Sequence, residues 1–411
     1  MKFVLLLTLF FCIVRPANGQ LQKIYISPKA ALGENQSRFI DSLKFYPLET
    51  KKGQNYSKYS NIQITDKYFI VSNYFEKELV FYTKDGKIYK TISFKKMGDG
   101  ASPSYDKNKN GFIFFFTNKN YSLSEKDTRE IQDNFANPKN KKYFKKFFID
   151  LDDSLLAIKK ATPTAFDILD AYNLKDDLYA ANRIDVNKNY KDSFDYEIKI
   201  YKNTKFIKGY FPYNKQNEPK YLYARYVGSS IYTLNRKDLF FVSRPYNDTI
   251  YTISQDSITP LYQIVLPMGN AIPATYLTQP FKNKTDRENF ERNNGNMMRQ
   301  VYLGYDENKF LIISVSLWGN YYQILYDKKT FATYNMQKIK PDSLSFQLPI
   351  LNEYGYTRKD NRYYKLLTPE TLKAAYEQKG KSASYPPELQ ACFTDPKNPT
   401  PVIVEYTIKD N

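Results

Sequence analysis

The stretch ELVFYTKDGKIYKTISF, Glu78 to Phe94, decides how the rest of the chain is read. Asp85-Gly86 sits between two runs of alternating apolar residues. Asp-Gly supplies the positive φ that a two-residue hairpin turn needs. Leu79, Phe81 and Thr83 share one side of the first run, and Ile88, Ile92 and Phe94 share one side of the second. A period of two predicts a hairpin with one buried face. Just upstream, YFIVSN from Tyr68 is a continuous apolar run between polar residues, the pattern of a fully buried inner strand.

The same unit recurs. Apolar runs begin at Tyr68, Phe112, Leu178, Leu239, Phe310 and Tyr363, 44 to 71 residues apart. Polar pairs lead several of them, as in TDK, KDD, RKD and ENK. Aromatic hairpin patterns follow most: YEIKIYKNTKFIKGYF from Tyr196, DTIYTISQDSITPLYQIVL from Asp248 and YYQILYDKKTFATYNM from Tyr321. About four strands at intervals of 40 residues or more is the spacing of propeller blades. The irregular intervals call for insertions. SEKDTREIQDNFA and KNKKYFKKFF, between Ser124 and Phe148, read as helical, as do TDRENFERNNG with Thr285 as N-cap and TPETLKAAYEQKG with Thr368 as N-cap. Pro369 then occupies the first helical position, where proline is tolerated. VIVEYTIK (Val402 to Lys409) and FIDSLKFYPLE (Phe39 to Glu49) read as strands at opposite ends of the chain. Pairing them closes a ring and removes an exposed edge. The expectation is an all-β, six-bladed β-propeller closed by an N-terminal strand, with short helical insertions. Stacked β-sandwiches are the alternative.

Residues 1–19 read as a signal peptide. Lys2 precedes an apolar core from Phe3 to Val14, too short for a span of about 20 residues, and Ala17-Asn18-Gly19 offers small residues for cleavage. Residues 20–411 are then expected to form a single propeller domain, exported to the periplasm, the cell surface or the medium, with no transmembrane segment. Phe11 before Cys12 disfavours a lipid anchor. Cys392 alone remains in the mature chain, so an internal disulfide is excluded and a buried thiol is expected. The chain has no histidine, which excludes Ser-His-Asp and Cys-His catalysis and imidazole zinc sites. The formal charge is +18, of which Lys2 and Arg15 belong to the leader. Such a charge suits a dispersed lysine-rich surface or contact with an anionic envelope polymer; export argues against nucleic acid.

Four stretches carry a family resemblance: FYPLET (Phe45 to Thr50), FYTKDGKIYKTISFKKMGDGASPSY (Phe81 to Tyr105), RPYNDTIYTI (Arg244 to Ile253) and DPKNPTPVIVEYTIK (Asp395 to Lys409). In order and spacing the chain resembles the NHL-like six-bladed propellers, largely uncharacterised, that Gram-negative bacteria export to the cell envelope. The resemblance implies a fold and an address but no reaction. Its loop usually reads Gly-x-Gly-Pro-Gly-Glu-Tyr; here Gly98, Gly100 and Tyr105 match, and Ser104 replaces the acidic residue.

In a propeller, the loops after the second strands gather around one mouth of the channel. Here they bring Asn73 and Tyr74, Asn182 and Arg183, Arg244, Tyr246, Asn247 and Asp248, and Trp318, Gly319 and Asn320. Aromatic faces stack on sugar rings or peptide side chains, and Arg grips carboxylate or sulfate with two donors. Inter-blade packing for Tyr246 and Trp318, and turn duty for each Asn, are the competing expectations. The expected function is a non-catalytic module that binds a glycan, peptide or envelope protein. The alternative is a carboxylate- or calcium-dependent hydrolase or lactonase. No cofactor is called for. Calcium is the one metal with a partial motif, DKNKNG from Asp106, but Thr117 stands where a bidentate Glu is required, and a plain turn fits better. DLDD from Asp150 fails similarly, with Leu155 at the glycine position. The run Lys139, Lys141, Lys142, Lys145 and Lys146 reads as a solvated helix face.

Overall fold

The computed structural model describes residues 21–51, 56, 60–97, 102–106, 109–118, 120–124, 126–127, 130–131, 134–182, 194–214, 230–234, 239–254, 256–273, 276, 281–351, 356–378 and 385–409. The signal segment, Arg183, Gly98 and Gly100 lie outside them. Six sheets stand in a ring as a six-bladed β-propeller, each built on four antiparallel strands. Five sheets span 61–93, 103–161, 172–214, 230–265 and 298–340, and the sixth joins 356–408 to a strand from the N-terminal end. Every one of the six apolar runs falls on the second strand of a blade: Phe69–Asn73, Gly111–Thr117, Leu178–Ala181, Phe240–Ser243, Phe310–Leu317 and Arg362–Leu367.

The opening hairpin is present, as Glu78–Tyr82 paired with Ile88–Ser93. Its period-two reading needs one correction, because the first strand is buried on both faces. Leu79 and Phe81 pack with Phe112 and Phe114 of the second blade. Val80 and Tyr82 pack with Tyr364 and Ile403 of the sixth. A blade lies between two neighbours, so its middle strands have no solvent face. The core is accordingly split into six apolar clusters, one at each junction between blades.

The N-terminal end does more than close the ring. β1 (Gln22–Tyr25) adds in parallel to the outer strand of the fourth blade, and β2 (Leu32–Asn35) adds in parallel to that of the fifth. β3 (Ile40–Pro47) then pairs antiparallel with Val402–Ile408 as the outer strand of the sixth. Ile24, Phe39 and Ile40 along this strap are fully buried.

Two insertions differ from expectation. KNKKYFKKFF is not a helix: Pro138–Tyr143 is a short 3-10 turn, and Phe144–Asp150 is the third strand of the second blade. Phe144 stacks on Phe115 and Phe147 on Phe116, and these cross-strand pairs override the helical composition. Lys146 therefore does not reach solvent. It is buried and donates to both carboxylate oxygens of Asp167 at 2.6 and 2.7 Å. The helix Lys284–Asn293 is capped by Asn283, whose side chain accepts from the Asp286 amide, and not by Thr285. Pro369–Gln378 is helical as read, with Thr368 Oγ1 accepting from the Thr371 amide.

Candidate functional site

Consecutive strands of a blade are antiparallel, so the chain leaves every second and every fourth strand at the same end of its sheet. The loops after second strands and the connections between blades therefore share one face of the ring. The long insertions at 118–143, 266–297 and 368–401 all open from that face.

Between the fourth and fifth blades this face carries a seventh apolar cluster, separate from the six at the blade junctions. Tyr246 comes from the loop of the fourth blade, Tyr276, Phe281, Phe290 and Met297 from the connection, and Trp318 from the loop of the fifth. Tyr246 stacks on Trp318 with ring centroids 6.2 Å apart and meets Tyr276 edge-on at 5.0 Å. The Tyr246 backbone is left-handed, at φ 54°, and its amide donates to the Arg299 carbonyl at 2.8 Å. A bulky residue adopts that conformation only where its surroundings hold it. The Arg299 guanidinium lies 5.0 Å from the centre of the Trp318 ring.

A polar network runs beneath. The Tyr276 hydroxyl donates to Glu291 Oε1 at 2.8 Å, and Arg287 Nε approaches the same oxygen at 3.5 Å. Burial raises the Glu291 carboxyl above the usual range, opposed by the Tyr276 hydroxyl and Arg287. Burial also pushes the Tyr246 hydroxyl up to about 12. Trp318 Nε1 is buried with no hydrogen-bond partner among the described residues.

Above this base lies an open cleft of about 310 Å³, lined by Glu288, Glu291, Arg292, Gly295, Trp318 and Gly319. Glu288, Glu291 and Arg292 fall at i, i+3 and i+4 of one helix and so present one side. The Gly319 amide donates to the Gly295 carbonyl at 2.7 Å, which ties the loop to the end of the helix. A Cβ on Gly319 would sit 3.2 Å from that carbonyl oxygen, a close contact that a few tenths of an ångström of movement would relieve.

The other residues singled out in the sequence lie apart from this cleft. Arg244 turns back on the third blade: its Nε and Nη2 donate to the two oxygens of Glu197 at 2.9 and 2.6 Å, and its guanidinium lies 4.1 Å over the Phe211 ring. Asn247 Oδ1 accepts from the Thr249 amide, and Asp248 accepts from Thr249 Oγ1 and Gln263 Nε2. Asn73 is buried and accepts from the Glu76 amide at 3.3 Å, while Tyr74 beside it is 51% exposed. Asn182 follows the second strand of the third blade. Asn320 is exposed, and its carbonyl accepts from the Leu317 amide. The structure thus brings Tyr246, Trp318 and Gly319 together; Arg244, Asn247 and Asp248 share the Tyr246 loop but point to other partners, Asn320 follows Gly319, Asn73, Tyr74 and Asn182 belong to other blades, and Arg183 lies outside the described residues. Glu288, Glu291 and Arg292 were read only as parts of a helical insertion; their shared helical face was the available signal.

Asp106 Oδ1 accepts from the Lys109 amide, and Asn110 accepts from the Tyr105 hydroxyl and donates to Asp152, as in a turn between two strands. Among the described residues no group of three or more Asp, Glu or Cys side chains is gathered closely enough to hold a metal ion. No helix among them is long and apolar enough to cross a membrane.

No protein-family model matches the chain, and no curated protein matches it significantly. Among solved structures, a candidate exported protein of Bacteroides fragilis is similar over 95% of this chain and 100% of its own, with 16% identity and a TM-score of 0.59. A DUF4221 family member of Bacteroides vulgatus is similar over 90% of this chain and 97% of its own, with 10% identity and a TM-score of 0.40. Virginiamycin B lyase of Staphylococcus aureus is similar over 90% and 99%, with 13% identity and a TM-score of 0.34. Likeness at these identities concerns the fold alone.

Proposed function

We propose that this chain is an exported envelope protein that binds a ligand without transforming it, at the cleft between the helix Lys284–Asn293 and Trp318. The observation that carries this reading is the seventh apolar cluster. The six blade junctions already supply a core for the ring, and the additional aromatics underlie a cleft on the face where the loops converge. A small-molecule site combines an aromatic or apolar wall with placed polar groups; here Trp318 supplies the aromatic wall and Glu288, Glu291 and Arg292 the charged groups, and about 310 Å³ lies at the lower end of the usual range. A glycan, a peptide or a segment of an envelope protein would present groups of that size. The apolar leader at Phe3 to Val14 supports the address.

The test uses the chain's single tryptophan. Trp318 lines the cleft, so its emission reports occupancy directly. Oligosaccharides and peptides are titrated against the chain from Gln20 onward, with emission and calorimetric heat recorded together. A ligand that gives heat and a matching change in Trp318 emission supports the reading. Heat without any change at Trp318 places binding elsewhere and overturns it.

A further inference from the structure

The charged groups around the cleft are unevenly engaged. Glu288, Glu291 and Arg292 stand in the lining, Arg287 lies beside Glu291, and Arg299 lies beside Trp318. Three bases against two acids leave these surroundings positive, like the whole chain at +18. Four of the five already have partners. Glu291 accepts from the Tyr276 hydroxyl at 2.8 Å and faces Arg287 Nε at 3.5 Å. Glu288 is itself partnered. The Arg299 guanidinium lies 5.0 Å from the centre of the Trp318 ring, and the residue makes a further interaction. Arg292 differs. It is exposed, and among the described residues its guanidinium pairs with no carboxylate, not even with Glu288 one helical turn before it. An anion at this place would ordinarily meet the negative end of a helix. Here the Asn294 amide donates to the Phe290 and Glu291 carbonyls at 3.0 and 3.2 Å, and Asn294 Nδ2 donates to the Phe290 carbonyl at 2.8 Å, so both carbonyls are already satisfied.

Arg292 thus offers the cleft an unengaged guanidinium, and Trp318 offers an aromatic wall in the same lining. A guanidinium grips a planar carboxylate through two parallel donors. With Glu288 and Glu291 close by, a doubly charged phosphate fits less well than a singly charged carboxylate. From these observations we infer that the cleft takes a carboxylated ring, a uronic acid of one or two sugar units, with its carboxylate on Arg292 and its ring against Trp318. The inference rests on the binding reading given above and narrows it. The positive charge of the whole molecule acts in the same direction, drawing anions to the surface.

The experiment measures dissociation constants by Trp318 emission and by calorimetry on the chain from Gln20 onward. The probes are gluco-, galacto- and manno-configured uronic acids of one and two units, their methyl esters and the neutral parent sugars. At least one uronic acid is expected to bind about tenfold more tightly than its own ester and its neutral parent. Arg292→Gln is expected to remove that advantage with the melting temperature unchanged. Lys141→Gln takes one exposed positive charge from the insertion of the second blade and is expected to keep it. An ester or neutral sugar that binds as tightly as the acid overturns the inference. So does an advantage that survives Arg292→Gln or falls equally in Lys141→Gln, and so do uronic acids that give neither heat nor a change in emission. If neutral sugars or peptides change Trp318 emission and no uronic acid does, the ligand class falls and the site stands. If ligands bind with heat and leave Trp318 unchanged, the site itself falls.

Discussion

Arg244 forks onto Glu197, whose side chain is 2% exposed. Removing the arginine takes this bidentate counter-charge from a buried carboxylate, a change that costs about 3 kcal/mol where a buried pair is broken. Arg244→Ala is therefore expected to lower the urea midpoint strongly, and the double variant Arg244→Ala, Glu197→Leu to recover much of the loss. An unchanged midpoint in the single variant would mean that water reaches Glu197. The sequence presented Arg244 as a free binding group, because its partner lies 47 residues away and nothing local announces it. Tyr246 and Trp318 were legible as aromatics on converging loops, with packing between blades as the competing expectation, and Tyr246 is indeed buried; that Tyr276 and Glu291 pack with it depended on a connection whose path no local pattern specifies. Cys392 behaves as its isolation suggested. It is buried and its thiol is pushed up to about 12 by that burial, so little thiolate exists at pH 8. A thiol reagent is expected to leave the folded chain from Gln20 unmodified and to label it after denaturation; rapid labelling of the folded protein would contradict this.

The hairpin at Glu78–Ser93 is fixed by β3, the outer strand of the neighbouring sixth blade. Gly86 has φ +84°, and a Cβ there would lie 1.9 Å from the carbonyl oxygen of Pro47, the last residue of β3. The Gly86 carbonyl in turn accepts from the Glu49 amide at 2.8 Å. A positive-φ glycine replaced by alanine costs about 1 kcal/mol in a free turn. Gly86→Ala is expected to cost at least twice that, because β3 must also move; a loss confined to the turn value in a denaturant titration would show that it need not. Hairpins and second strands were readable because their signals are local: an Asp-Gly turn, a period of two, a run of aromatics. β1 and β2 left no such signal. Parallel pairing needs no turn, and their partners at Ile258–Val265 and Thr333–Lys340 lie far along the chain. The segment at Phe144–Asp150 misled because lysines favour helices in isolation, while its phenylalanines gain more by stacking across strands.

The whole molecule has an unusual titration. With no histidine, it lacks the side chain that ordinarily ionises between pH 5 and 8. Burial lowers Lys84 to about 8, with Lys359 adding repulsion, so the unfolded chain holds more protons than the folded one from there up to the ordinary value of 10.5, and stability from this group rises with pH. The opposite sign applies to Tyr56, Tyr232, Tyr246 and Tyr305, each pushed up to about 12 by burial from an ordinary 10, and to Cys392 from 9. Their stabilising effect is complete below the unfolded values and is lost as pH climbs to about 12. Midpoints measured at pH 6, 7.5 and 11 are expected to change little between the first two and to fall sharply at the third. Equal midpoints at 7.5 and 11 would mean that these rings are solvated.

The strap of β1, β2 and β3 also sets an order of events. Its three strands precede their partners in the chain by more than 200 residues, for those partners end at Val265, Lys340 and Ile408. A chain emerging from its N-terminus must carry these strands idle while blade after blade appears behind them. The ring cannot lock until Val402–Ile408 is in place to receive β3. Five blades can stand complete while the closure still waits on a strand more than 350 residues away from its partner.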